Sequence, residues 1–299
     1  SMSDVRIGIS GWRYAPWRGD FYPRGLAQRR ELEFASREVN SIEINGSFYG
    51  LQTPERYRNW AAQTPDGFVF SVKAPRFITH VRRLVDIDEP LANFFASGLL
   101  GLKEKLGPIL WQFPPSFRFD EALFAEFVAK LPTDTDQARS LARHASARLH
   151  VAGYLDAAAD RPLRHAVEIR NASFCDPAFI KLLRQHGIAL VVADTAGKWP
   201  YAEDITADFL YLRLHGDAEL YVSGYSTEAL QHWQQRIETW TAGGQPDDAR
   251  LIDQAHKPRR TARDLYCYFD NDVKVRAPYD ARDLQQRLQR SAGAGQDSG

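Results

Sequence analysis

Eight short apolar runs recur along this 299-residue chain, and nearly all are followed by a stretch of helical periodicity. The runs are Val5–Ser10, Val39–Ile44, Phe68–Lys73, Pro108–Phe113, His165–Ile169, Ile188–Ala193, Phe209–Leu214 and Leu265–Phe269. Alternating strands and helices place strands in parallel, because each crossover helix carries the chain back to the end at which the preceding strand began. No repeat of fixed period is visible, and no linker marks a midpoint. Gly8-Ile9-Ser10-Gly11 lacks the spacing of a dinucleotide-binding turn, which counts against an open doubly wound sheet. The pattern therefore predicts the α/β class: a single (β/α)8 TIM-type barrel with eight parallel strands.

Helix boundaries are written in local chemistry. Thr53-Pro54 and Asp176-Pro177 each pair an N-cap with a first-turn proline, predicting helices over Pro54–Gln63 and Pro177–His186. Gly187 stops the second. Further helices are expected over Leu26–Glu38, Glu89–Lys105, Asp120–Leu131, Thr227–Thr241 and Ala281–Arg290. The Ala- and Arg-rich stretch Thr133–Ala159 reads as an extended crossover of one or two surface helices. Residues 5–290 form the expected barrel domain. Residues 1–4 are an N-terminal tail in which Ser1 before Met2 looks like a cloning remnant. The Gly/Ala/Ser/Gln-rich residues 291–299 are expected to be disordered.

Composition is that of a soluble globular protein, 44% hydrophobic and 25% charged, with 38 basic and 38 acidic residues. With no net charge, any selectivity for charged ligands must be local. Two distant cysteines, Cys175 and Cys267, read as reduced packing residues and suit the cytoplasm. There is no signal peptide and no apolar run near 18 residues, so no membrane association is expected.

Parity along the strands points to a site. Side chains alternate faces, and barrel enzymes draw catalytic groups from carboxyl-terminal strand ends. Glu43 and Asn45 oppose Ile42 and Ile44. Lys73 opposes Val72, and Gln112 opposes Trp111. Glu168 and Arg170 oppose Val167 and Ile169. Asp194 opposes Val191 and Ala193. Tyr211, Arg213 and His215 oppose Leu210, Leu212 and Leu214. Tyr266, Tyr268 and Asp270 oppose Leu265, Cys267 and Phe269, and the first strand contributes Ser10. Eight polar inward strand ends predict a shared polar pocket.

Several ordered segments resemble one known family. They are Gly8–Tyr14 (G-I-S-G-W-R-Y) with Phe21–Pro23, Ile42–Tyr49 (I-E-I-N-G-S-F-Y), Phe70–Arg76 (F-S-V-K-A-P-R) with Ile78–His80, Gly107–Pro115 (G-P-I-L-W-Q-F-P-P), Ala166–Arg170 (A-V-E-I-R), Tyr211–Gly216 (Y-L-R-L-H-G) and Tyr268–Asp272 (Y-F-D-N-D). The chain resembles the YecE-like proteins, the domain of unknown function 72, over about Val5 to Leu288. The resemblance implies a (β/α)8 barrel and no established activity. The last motif usually carries asparagine where this chain has Asp270.

Three chemistries fit these residues. Glu43 and Glu168, facing across a pocket, match the carboxylate pair of glycoside cleavage, with Trp12, Tyr14, Trp17 and Tyr49 as stacking platforms. Against that, Lys73, Arg170 and Arg213 would neutralise them in a structural network. Glu43, Glu168, Asp194 and His215 are metal-ligand types, but the same rim gathers cations and no H-E-x-x-H or H-x-H spacing exists. The preferred reading uses the cations: Lys73, Arg76, His80, Arg170, Arg213 and His215 grip a phosphate or carboxylate. Catalytic roles then fall to Glu43, Glu168 and Lys73. Trp12, Tyr14, Asn45, Tyr49, Arg76, His80, Gln112, Arg170, Asp194, Arg213, His215, Asn271 and Asp272 surround a small anionic substrate. No metal site and no cofactor is assigned, and nucleic acid is not favoured as a partner. A non-catalytic ligand-binding or scaffold protein is the alternative of another class. The basic run Lys257–Arg263 reads as a solvated face, and Trp233 and Trp240 as core.

Overall fold

The computed structural model describes residues 3–146, 159–218, 223–271 and 275–297. Its eight strands are β1 (Val5–Ser10), β2 (Ser41–Ile44), β3 (Val69–Lys73), β4 (Leu106–Gln112), β5 (His165–Glu168), β6 (Ala189–Asp194), β7 (Phe209–Leu214) and β8 (Asp264–Phe269). All pair in parallel and in sequence order, and β8 closes on β1. This is the expected (β/α)8 barrel. The helices are α1 (Glu31–Glu38), α2 (Gly46–Tyr49), α3 (Pro54–Gln63), α4 (Asp88–Ala96), α5 (Glu121–Lys130), α6 (Thr135–Ala142), α7 (Pro177–Gln185), α8 (Thr227–Thr241) and α9 (Ala277–Asp297).

The caps act as their residue types require. Thr53 Oγ1 accepts from Arg56 N, and an Asp176 carboxylate oxygen accepts from Ala178 N. Gly187 sits at φ +63° after α7, a conformation that other residues adopt at a cost. Apolar strand residues sort by parity. Ile7, Ile9, Ile42, Ile44, Phe70 and Val72 face the helices, while Val69, Leu110, Ala166, Val191, Phe209 and Tyr211 fill the barrel. Gly8 packs directly against the neighbouring strand, where a Cβ would lie 1.8 Å from the Ser41 carbonyl oxygen.

Three segments differ from expectation. The helix expected over Glu89–Lys105 is two pieces. α4 ends before Gly98, whose φ of +118° and close approach to Pro54 turn the chain into a 3-10 segment over Leu99–Lys105. The loop after β3 contains a π-helical turn, Phe77–Val81, which carries His80. The last helix runs Ala277–Asp297 rather than Ala281–Arg290, entering the 291–299 stretch. Of the Thr133–Ala159 crossover, α6 is helical and residues 147–158 lie outside the described residues. Trp233 and Trp240 are core, whereas Cys175 is exposed rather than packed. Among the described residues no helix is long and apolar enough to cross a membrane.

Candidate active site at the strand ends

Alternation on β7 sends Tyr211 and Arg213 into the barrel, and Arg213 becomes the centre of a buried ion cluster. Its Nη2 donates to Glu43 Oε1 at 2.7 Å and its Nε to Glu43 Oε2 at 3.1 Å. Its Nη1 donates to Glu168 Oε2 at 3.1 Å. Nη2 also reaches Ser10 Oγ and Asp270 Oδ2, both at 3.4 Å. Glu43 accepts further from Ser10 Oγ at 2.6 Å and from the Tyr211 hydroxyl. Glu168 accepts from Arg170 Nε and Nη2 at 3.2 and 3.0 Å. His215 bridges Glu168 Oε2 at 3.2 Å and Asp270 Oδ2 at 3.0 Å through its two ring nitrogens.

This geometry corrects the expected carboxylate pair. Glu43 and Glu168 do not face each other across an open pocket, because the guanidinium of Arg213 lies between them. Both are buried, at 0% and 1% exposure, and neither lines the cleft above. Burial alone would raise the Glu168 pKa, but Arg213, Arg170 and His215 outweigh it and hold the carboxyl well below its ordinary value. A carboxyl so held is a poor proton donor. Asp270 is likewise held low, against burial, by His215 and Arg213. Burial would lower the His215 pKa, yet Glu168 and Asp270 keep it above the ordinary imidazole value. Arg213 is raised because Glu43 and Glu168 outweigh the cost of its burial.

Above this cluster, at the carboxyl ends of the strands, opens a cleft of about 1010 Å³. Of the residues singled out from the sequence, Trp12, Tyr14, Asn45, Tyr49, Lys73, Arg76, His80, Gln112, Arg170 and Arg213 line it. Lys73 ends β3 with its ammonium 4.1 Å from the centre of the Phe48 ring. The Lys73 carbonyl accepts from Ser47 Oγ at 2.6 Å, whereas the ammonium has no hydrogen-bond or ion-pair partner among the described residues. Burial, seconded by Arg213, lowers its pKa to about 8. His80 sits edge-on to Phe48, its Nδ1 2.7 Å from Thr79 Oγ1. Burial and the nearby Lys73 and Arg76 lower its pKa to about 4, so its ring is neutral at pH 7. Arg170 stacks on Trp199 with its guanidinium carbon 3.9 Å from the ring centre. Asn45 donates to Ser10 Oγ at 2.7 Å and keeps a buried, unpaired Oδ1. Gln112 donates to the Phe113 carbonyl at 2.7 Å.

Two expected site residues lie elsewhere. On β6 the inward residues are Ala189, Val191 and Ala193, so Asp194 turns outward. There it accepts from the Tyr225 hydroxyl at 2.9 Å, and burial raises its pKa. Seven strands, not eight, therefore supply an inward polar end. Asn271 is fully buried and ties the end of β8 to α9, donating to Asp280 Oδ2 and the Ser223 carbonyl, each at 2.9 Å. Asp272 lies outside the described residues. Trp17 is completely buried and offers no stacking face. Within the basic run, Arg263 is buried and donates to the Trp240 and Gly244 carbonyls, which makes it structural; Lys257, Arg259 and Arg260 are exposed.

The main residue missing from the expected site set is Asp270. Parity already turned it inward, and only the asparagine usual at this place argued against a role. Its carboxylate lines the cleft and contacts both Arg213 and His215. Phe48, which covers Lys73, carries no polar signal that would have singled it out.

The family described as protein of unknown function DUF72 matches residues 6–298 of the chain. The chain belongs to the DUF72 family. Among curated proteins it is similar to UPF0759 protein YunF of Bacillus subtilis, 32% identical over 121 residues, and to UPF0759 protein YecE of Escherichia coli, 30% identical over 113 residues. These matches cover 38% of this chain in each case, and 41% and 39% of the two relatives. A DUF72 family protein from Thermotoga maritima superimposes with a TM-score of 0.71 at 25% identity, covering 96% of this chain and 99% of that one. A second, from Enterococcus faecalis, gives 0.65 at 18% identity over 95% of each chain and shares the fold. This DUF72 barrel thus carries two stacked layers at its strand ends. A saturated ion cluster lies below, and a cation-lined cleft lies above.

Proposed function

We propose that this protein is an enzyme that binds a small phosphate- or carboxylate-bearing substrate in the strand-end cleft. The observation that carries the reading is the arrangement of charge. Glu43 and Glu168 are committed to the lower layer and Asp270, at the floor of the cleft, is bonded to Arg213 and His215, while Lys73, Arg76 and Arg170 present cations to the cleft above. Arg76 and Arg170 hold the anion through guanidinium donors. Lys73, titrating near pH 8, exchanges the proton, since an acid or base works best with a pKa near the operating pH. Glu43 and Glu168 act here as positioning residues: they hold Arg213 and Arg170 in fixed orientation. His80, neutral at pH 7, offers its Nε2 to the substrate.

The glycoside-cleaving alternative loses its proton donor, because Glu168 is held ionised. The metal alternative finds Glu43 and Glu168 already bonded to Arg213 and Arg170, His215 held between Glu168 and Asp270, and Asp194 turned away. Among the described residues no three His, Cys, Asp or Glu side chains are disposed to hold an ion.

Thermal-shift screening against inorganic phosphate, phosphate monoesters, dicarboxylates, zinc and manganese tests the reading. Anions stabilise the wild type, and the effect is lost in Arg76→Ala, whose side chain is exposed and makes no hydrogen bond or ion pair among the described residues. Stabilisation by zinc or manganese alone, lost in His215→Ala, overturns it.

A further inference from the structure

The cleft is longer than a small anion requires. It leaves the strand ends and follows α3, where Arg56, Asn59 and Gln63 line it at helical spacing, with Gln52 just before the helix. Arg56 to Gln63 is seven residues, about 10 Å of helix. Trp60 lies within the same row and is half-buried, meeting Trp12 edge-to-face at 5.4 Å. Arg29 lines the cleft from the segment before α1. Tyr49 lines it with 77% of its surface exposed. Amides and arginines line this extension together with the exposed ring of Tyr49 and the half-buried Trp60, and among the described residues none of its lining is acidic.

We infer that the substrate anion is the terminal phosphate of a short single-stranded oligonucleotide, whose following nucleotides lie along α3. This rests on the anion-binding reading of the inner cleft and extends it. Arg29 and Arg56 meet backbone phosphates. Tyr49 stacks on a base, which every base permits because each has a π-face. The row of amides meets base edges or sugar hydroxyls without demanding one sequence. The balanced charge of the whole chain is no obstacle, because the cations are gathered in the cleft.

Fluorescence anisotropy with 5′-phosphorylated, 3′-labelled hexathymidylate tests this, with competition by thymidine 5′-monophosphate and by linear hexaphosphate. The hexamer binds at least ten-fold tighter than the mononucleotide and weakens steeply with added salt. The double variant Arg29→Ala/Arg56→Ala loses that advantage. Tyr49→Ala loosens the hexamer about five-fold or more and leaves hexaphosphate competition unaltered. A mononucleotide that binds as tightly as the hexamer overturns this inference and leaves the inner anion site standing. A hexamer indifferent to the double variant, or displaced equally by hexaphosphate and indifferent to Tyr49→Ala, also overturns it. If neither nucleotide nor inorganic phosphate binds, both readings fall.

Discussion

The Lys73 ammonium is buried at the cleft floor without a hydrogen-bond or ion-pair partner among the described residues. Burial is the largest influence on it, and Arg213 adds repulsion. Its folded pKa of about 8 lies below the ordinary lysine value, so the folded protein holds fewer protons than the unfolded chain between those two values. Stability contributed at this position therefore rises with pH through that window. The cost of the buried ammonium is fully present below pH 8. Lys73→Met removes the cost and is expected to be more stable than wild type at pH 7, by up to about 3 kcal/mol. The difference shrinks as pH rises toward 10. Urea unfolding of both proteins across pH 7–10 measures it; a constant difference would refute the shift. NMR of the reductively methylated protein gives a second readout, with a resonance that titrates near 8 and is missing from Lys73→Met. The same substitution abolishes any turnover found for the wild type while anion binding persists through Arg76 and Arg170.

At the scale of elements, Arg213 joins the ends of five strands through Ser10, Glu43, Glu168 and Asp270. Removing one partner from a buried ion network leaves uncompensated charge, which costs about 3–5 kcal/mol. Arg213→Ala should lose that much in denaturant unfolding, and Arg213→Lys should recover little, because an ammonium cannot fork between two carboxylates. Loss of less than 1 kcal/mol would mean that the carboxylates find other partners. The pH response follows from the same contacts. Glu168 and Asp270 are held below their ordinary values, so their stabilisation is complete above the unfolded carboxyl pKa and is lost as pH falls through the folded one. His215 is held above 6.5, so its contribution is complete below that value and is lost as pH rises through its folded pKa. Stability from this cluster peaks between the carboxyl and imidazole ranges, and His215→Gln should flatten the alkaline limb and also move the acid limb to higher pH, because His215 is one of the groups that hold Asp270 and Glu168 low.

The elements also mark what the sequence made legible. Parity located Glu43, Lys73, Gln112, Glu168, Arg213 and Asp270 because a closed barrel enforces alternation on every strand. It failed on β6 because both of its faces are apolar: Val191 and Ala193 read like Leu190 and Val192, so nothing in the strand fixes which way Asp194 turns. Asn271 misled in a similar way, one residue beyond an inward aspartate. Which charges meet was not legible. That Arg213 separates Glu43 from Glu168 depends on strand register and closure, which place the ends of β2, β5 and β7 around one point.

For the molecule as a whole, 38 basic and 38 acidic residues leave no net field. The cleft departs from that balance. Seven Lys and Arg side chains line it, and among the described residues Asp270 is its only carboxylate. Facing walls of one sign focus a field on the opening even when the whole chain is neutral. Anion capture should therefore be steered locally, and the steering should be screened by salt. The Debye length falls from about 30 Å at 0.01 M to about 8 Å at 0.15 M ionic strength. Stopped-flow association of a phosphate monoester is expected to slow several-fold across that range, with the dissociation rate changing much less. Arg56→Ala and Arg76→Ala together should reduce both the low-salt rate and its salt dependence, because they remove exposed charge at the mouth without touching the buried cluster. A neutral analogue of the same size should show no such dependence. If wild-type association is flat in salt, the cations of the cleft act only after contact, and the long-range part of this account is wrong.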